Sequence, residues 1–405
     1  MIYRSLEVKN YGLLWEVPKI MPYLYEVVKR TPFFIGKTGK RKRVLLAMIL
    51  NKLNLSRRVL TLRIIPGVVI GLAFIAIFTQ CEFSRASQQP DMRATGAKDS
   101  LPVVEQEIPV PPFDSVEYLR LIHQLSRNKS ETPWPAEVIY PKAGALLPFN
   151  RIVAFYGNLY STRMGILGAL PPDEMLKKLK DEIISWQKAD TSIQAIPALH
   201  YIAVTAQQEP GKGKKYRLRM PGKEIDKVLE MARGIDAIVF LDIQVGHSTL
   251  QEEIPELKEY LKMPHVHLGI DPEYSMKGGE VPGRKVGTMD AEDINYAAEY
   301  LADLVREYNL PPKVLVVHRF KKMMVTNYQQ IKLLPEVQVV MNMDGFGSRG
   351  IKLTTYKQSV TSEPVQFAGF KVFYKNDAQD PAAPTVMRPD EILKIHPVPV
   401  YIQYQ

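Results

Sequence analysis

The sequence predicts an α/β fold, a (β/α)8 TIM barrel, preceded by an N-terminal transmembrane or signal segment and a linker. Three observations point there. Short apolar runs alternate with helical segments from residue 150 onward, which implies parallel strands joined by right-handed crossovers. The runs number eight over roughly 250 residues, the size of a closed barrel. The eighth run, Tyr401-Ile402-Gln403-Tyr404-Gln405, stands where it would close against the first. An open doubly wound sheet is the alternative.

The 405 residues are 46% apolar and 24% charged, an ordinary globular balance. The net charge of +10 is uneven. Residues 1–63 hold 14 Lys/Arg and 3 Glu, and the remainder holds 39 Lys/Arg against 40 Asp/Glu. The folded part is therefore neutral and gives no argument for nucleic acid. One cysteine, Cys81, excludes a disulfide framework and a cysteine metal site.

Residues 1–58 form a basic segment that includes Lys40-Arg41-Lys42-Arg43 and Arg57-Arg58. Residues 59–80 are apolar over about the length that crosses a bilayer. By the positive-inside rule the basic segment stays in the cytoplasm and the rest is exported. Two anchors compete: an uncleaved span, or a signal ending at Cys81 with its thiol lipidated. Residues 81–113, rich in Ser, Gln, Ala and Pro, form a flexible linker. The barrel domain covers 114–405, opening with a short helix over Asp114–Leu125.

The predicted strands are Ile152–Asn158, Ile193–His200, Ala237–Gln244, Val266–Glu273, Val314–Phe320, Val337–Asp344, Phe367–Lys375 and Pro399–Tyr404. Between them, Pro172–Trp186 starts Pro-Pro-Asp-Glu and spaces Leu176, Leu179, Ile183 and Trp186 along one face. Asp290 caps another helix, with Asp293 three residues on and a stripe from Ile294 to Tyr308. Lys223–Arg233 and Leu250–Lys262 read as helices, and Asn327–Leu334, Gly350–Ser359 and Arg388–Leu393 as weaker ones.

A barrel carries its site where the strands end. Strand 1 ends at Tyr156 and Asn158, and strand 2 at His200. Strand 3 places Asp242 and Gln244 on one parity, strand 4 supplies Asp271 and Glu273, and strand 5 ends His318-Arg319. Strand 6 gives Asn342 and Asp344. Strand 7 gives Lys371, Phe373 and Lys375 and then Asp377, and strand 8 gives Tyr401 and Gln403. Four strands thus aim carboxylates at one mouth beside aromatics and amides. Crowded acids raise one another's pKa, so one donates a proton while another stays ionised. Glycoside cleavage needs that division of labour. No serine–histidine pair and no dinucleotide turn appears at a strand end, and no cofactor is implied.

Structural roles compete at each position. Asp242 caps a helix or pairs with Arg319, Asp344-Gly345 is a turn, and His267 is a core histidine. His200 and His318 with Asp242 and Asp271 would be metal ligands, though no His-x-His or His-Glu-x-x-His spacing supports this. The loop Ser275–Thr288, with Gly278, Gly279 and Gly283, reads as a lid. The loop Gln207–Gly222, with Lys212, Lys214, Lys215, Arg217 and Arg219, reads as a solvated loop or a rim contact to an anionic glycan or lipid phosphate.

Asp271-Pro272-Glu273 is similar to the Asp-x-Glu that ends strand 4 in family-18 chitinases and family-25 muramidases. The longer chitinase pattern would place acids at Val266 and Gly269 too. The segments Leu241-Asp242-Ile243-Gln244, Asp271-Pro272-Glu273-Tyr274, Val317-His318-Arg319-Phe320, Met343-Asp344-Gly345-Phe346-Gly347 and Lys371-Val372-Phe373-Tyr374 resemble exported bacterial proteins, many of them lipoproteins, with a glycoside-hydrolase-like TIM barrel. That resemblance implies export and the barrel, and no activity.

The sequence therefore predicts a membrane-tethered, extracytoplasmic barrel acting on an envelope or environmental glycan. Glu273 is the expected general acid, Asp271 its orienting partner, and Asp242 or Asp344 the second carboxylate. Tyr156, Asn158, His200, Gln244, His318, Arg319, Lys375, Asp377, Tyr401 and Gln403 are the expected ligand contacts. The alternatives are a non-catalytic glycan-binding lipoprotein and a metal-assisted hydrolase.

Overall fold

The structure is a computed structural model that describes residues 113–127, 134–379 and 384–405. The expectations for residues 1–112, including the span at 59–80 and Cys81, lie outside the described residues. Among the described residues, no helix is long and apolar enough to cross a membrane.

Eight parallel strands close into a barrel: β1 (Asn150–Gly157), β2 (Gln194–Ala206), β3 (Ile238–Ile243), β4 (Val266–Ile270), β5 (Lys313–Arg319), β6 (Val337–Met343), β7 (Phe367–Val372) and β8 (Tyr401–Tyr404). Each pairs with the next, and β1 pairs with both β2 and β8. An open sheet would leave two edges, and here there are none in the ring. A short strand, Arg217–Arg219, lies antiparallel along the end of β2.

Side chains alternate between two apolar layers, as the period of two requires. Val153 and Phe155 of β1, Leu199 and Tyr201 of β2, and Val339 and Met341 of β6 face the helical shell. Ile152, Ala154, Ala198, Phe240, Val314, Val316, Val340 and Phe367 fill the barrel interior.

The helix α1 (Ser115–Ser126) packs into that interior cluster through Tyr118, Leu121, Ile122 and Leu125. Asp114 caps it by accepting from Val116 N and Glu117 N. Its company is Ile193, Val398 and Val400, which sit at or ahead of strand starts, so α1 plugs the end of the barrel opposite the mouth. Burial of each such side chain contributes about 2 kcal/mol.

The shell helices are α2 (Pro172–Ala189), α3 (Gly222–Arg233), α4 (Ala291–Glu307) and α5 (Arg349–Tyr356). Proline begins α2 at a position that needs no N–H, and Met175, Leu179 and Trp186 form its buried stripe. Asp290 and Asp293 form a reciprocal capping box at α4.

Three expected helices differ. Leu250–Lys262 is two four-residue helices separated by a 3-10 turn at Pro255–Leu257, because proline has no N–H to continue the ladder. Asn327–Leu334 is only a 3-10 turn over Tyr328–Gln330, entered through Asn327 at φ 53°. In Gly350–Ser359, α5 ends at Tyr356 and widens into a π turn. The strand expected over Val266–Glu273 stops at Ile270, and Pro272–Tyr274 is a 3-10 turn.

Candidate active site

At the carboxyl ends of the strands lies a cleft of about 840 Å3. Its walls include Tyr156, Gln244, Asp271, Glu273, Tyr274, Asp344, Lys371, Phe373 and Tyr374, with Phe320 and Phe346 toward the rim. Phe346 is 61% exposed and meets the edge of Phe373 at 5.8 Å between centroids.

Glu273 reaches the cleft from the turn after β4. Asp271 accepts from Glu273 N at 3.0 Å, which pins that turn. Asp271 is buried, with the Gln244 amide at 3.5 Å. Burial pushes the Asp271 carboxyl well above the usual carboxylate range. Burial and the nearby Asp344 charge push Glu273 up to about 7. Asp344 goes the other way. Burial opposes its charge, but Lys371 at 3.0 Å and His318 at 2.9 Å hold it below its ordinary value. Two acids of one cleft are therefore shifted in opposite directions, Glu273 toward holding its proton and Asp344 toward losing it.

Beneath the cleft floor lies a hydrogen-bonded chain of buried side chains. Gln403 donates to the Tyr401 hydroxyl at 2.9 Å, and that hydroxyl donates to His200 Nδ1 at 2.5 Å. His200 Nε2 then faces Asp242 Oδ1 at 3.0 Å, and Tyr156 donates to Asp242 Oδ2 at 3.1 Å. His318 Nε2 lies 3.3 Å from the same Asp242 oxygen, and its Nδ1 reaches Asp344. Burial pushes His200 down to about 4, so it is neutral. Burial opposes charge on His318 as well, yet the carboxylates on either side hold it up to about 10. Burial would raise Asp242, but the two imidazoles keep it well below the usual range. The interior is thus an ordered alternation: neutral His200, anionic Asp242, cationic His318, anionic Asp344, cationic Lys371.

Gly269 makes room for this chain. A Cβ there would overlap Asp242 Oδ1 and His200 Nε2. The inward position where the chitinase pattern carries an acid is filled by this hydrogen bond.

Of the expected carboxylates, Asp271, Glu273 and Asp344 border the cleft, while Asp242 is fully buried below it. Tyr156, Gln244 and Lys375 also border it. His200, His318, Tyr401 and Gln403 lie beneath, as supports rather than contacts. Three expected contacts serve elsewhere. Asn158 donates to Ile202 O and accepts from Tyr160 N, fixing the loop after β1. Arg319 is of the opposite parity to His318, faces the shell, and bonds Glu363, Lys322 O and Val325 O. Asp377 is buried with Lys352 at 2.9 Å and accepts from Gly347 N and Phe373 N.

The Ser275–Thr288 loop contributes nothing to the cleft wall; it folds back, with Met276 N on Gly246 O and Gly287 N on Glu273 O. In the basic loop, Lys215 pairs with Glu252, Arg217 and Arg219 with Glu253, and Arg219 also with Glu256. His267 is a buried core histidine that accepts from Val314 N at 3.1 Å. Lys371 joins the cleft through the inward parity of β7, a signal visible in the strand's alternation.

His200, Asp242 and His318 also have the composition to hold a divalent cation, with ligand atoms within 4.8 Å of one another. Within that cluster His200 is a hydrogen-bonded neutral imidazole. The Tyr401 hydroxyl accepts a hydrogen bond from the Gln403 amide and donates one to His200 Nδ1, so the His200 proton is on Nε2, toward Asp242.

No protein-family model and no curated protein matches the chain. Among solved structures it is similar to Burkholderia cenocepacia dihydropteroate synthase complexed with 7,8-dihydropteroate, at 9% identity and a TM-score of 0.30, over 64% of this chain and 86% of that chain. A likeness of that degree carries nothing about activity, and the barrel stands on its own closed strand pairing.

Proposed function

We propose that the barrel mouth hydrolyses a glycosidic bond by carboxylate acid–base chemistry. The observation that carries this reading is one cleft holding two acids pushed apart, Glu273 raised to about 7 and Asp344 held below its ordinary value, between aromatic walls. Glu273 gives its proton to the glycosidic oxygen as the bond to the anomeric carbon breaks. Water adds to that carbon and yields a proton to Asp344. Asp271 holds the Glu273 turn, and Phe346 and Phe373 offer apolar faces to a sugar ring. Lys371 and His318 keep Asp344 charged for its part.

The full chain, solubilised from membranes, should release reducing ends from at least one polysaccharide in an envelope and plant glycan panel. Glu273→Gln should lose about 100-fold or more in rate with its circular dichroism unchanged. Release from none of them, or full activity in that variant, overturns the reading. Binding without release would leave the domain as a glycan receptor.

We place the domain outside the cytoplasm, tethered through residues 59–80 or a lipid on Cys81. Protease added to intact cells should then digest it. A metal-assisted hydrolase is the second reading, resting on the spacing of His200, Asp242 and His318. Elemental analysis finding a stoichiometric metal would favour it.

A further inference from the structure

Four cationic side chains border the cleft: Arg163, Lys321, Lys371 and Lys375. Lys371 is engaged, with Asp344 at 3.0 Å and the Tyr156 ring at 3.9 Å. Arg163, Lys321 and Lys375 are exposed, and none has a carboxylate within ion-pair distance among the described residues. The neighbouring basic loop differs, since Lys215, Arg217 and Arg219 are each matched by glutamates.

The three unmatched cations come from the loops after β1, β5 and β7, so they spread around the rim rather than along one segment. The acids in the cleft offset them only in part. Burial pushes the Asp271 carboxyl well above the usual carboxylate range, Glu273 is raised to about 7, and Asp344 is matched by Lys371. Beyond residue 63 the chain is close to neutral, with 39 Lys/Arg and 40 Asp/Glu, so a positive mouth is a local feature. Cations spaced around a rim above buried, partly neutralised acids focus their field on an incoming ligand.

We infer that the cleft takes an anionic glycan, one carrying carboxylate, sulfate or phosphate groups, and that Arg163, Lys321 and Lys375 select it. This rests on the reading of the cleft as a glycan site, and it names the substrate class. The residues after β1, β5 and β7 meet charges on several successive sugars, while the uncharged ring at the centre lies between Glu273 and Asp344.

The test is binding, so that it is read apart from cleavage. Full-length Glu273→Gln protein is applied to an array of acidic glycans and their neutral counterparts: uronates against methyl esters, and sulfated or phosphorylated sugars against the unsubstituted ones. Acidic members should bind about tenfold or more tightly than their counterparts at low salt, and high salt should erase most of the difference. Arg163→Ala, Lys321→Ala and Lys375→Ala combined should abolish the preference with the melting temperature unchanged, because all three side chains are exposed. Equal binding of neutral members, a preference that survives the triple substitution, or no acidic member bound overturns the inference. Cleavage of a neutral glycan by the unsubstituted protein would overturn it while leaving the hydrolase reading intact. Acid-selective binding without cleavage by the unsubstituted protein would do the reverse.

Discussion

At the scale of single residues, Glu273 shows both what the sequence discloses and what it hides. Its place at the mouth is legible from an apolar strand ending in acids. The reason is different from simple alternation, because Pro272 stops the strand and a 3-10 turn carries the side chain into the cleft. Arg319 went astray by one step of parity: it follows His318 directly and so faces the opposite side. Asp242 and Asp344 look alike in the sequence, and only closure of the ring buries one and opens the other. Glu273 also has a stability signature. Its pKa rises from 4.5 to about 7 on folding, so the folded state holds the proton more tightly. That contribution is full below pH 4.5 and is lost as pH climbs through 7. Glu273→Gln should therefore melt higher than the unsubstituted protein above pH 7, by up to roughly 2–3 kcal/mol in unfolding free energy, while losing turnover. Equal melting at pH 8 would contradict the raised pKa. Gly269→Ala is the steric counterpart. The added methyl overlaps the His200–Asp242 hydrogen bond and should cost about 2–3 kcal/mol, read by urea denaturation. An undisturbed midpoint would mean the interior chain is not packed as described.

Among the elements, the strands were legible, and so were the helices except where a proline or a left-handed residue redirects the backbone. Each strand is an apolar run short enough to be bounded by turn residues, and buried faces on both sides keep that signal strong. The stretch at 250–262 has helical spacing, yet Pro255 breaks it locally, whatever its periodicity. The stretch at 327–334 turns on Asn327 in a left-handed conformation, which a pattern of apolar residues does not record. The helix α1 was visible as a short helix at the domain's start, but its task was not, because a plug is defined by the hole it fills. Leu121 is 2% exposed within the interior cluster. Leu121→Ala should cost about 3 kcal/mol in urea unfolding and leave turnover unchanged, since α1 seals the end away from the cleft. A loss of turnover at full stability would show that the plug communicates with the mouth.

Taken whole, the barrel divides its buried charges between two ends, and the far end offers a clean titration. Lys313 begins β5, at the end opposite the cleft, and is fully buried. Its ammonium donates to Met263 O at 2.6 Å and Val266 O at 2.9 Å, both uncharged acceptors. Burial lowers its pKa from 10.5 to about 7. Between those values the unfolded chain holds a proton that the folded protein lacks, so this residue makes stability rise with pH over that window. Lysine is a poor choice for such a place on energetic grounds, and no sequence pattern marks it, since Val314–Val317 directly after it are all apolar. Lys313→Met keeps the length and the apolar contacts and removes the proton. Unfolding free energies of the two proteins, measured from pH 6 to pH 10, should diverge most at the acid end and converge toward the alkaline end. Turnover should match throughout, because the cleft lies across the barrel. Parallel stability curves would mean that Lys313 keeps its charge in the folded protein, and the two carbonyls would then be sufficient solvation for a buried ammonium.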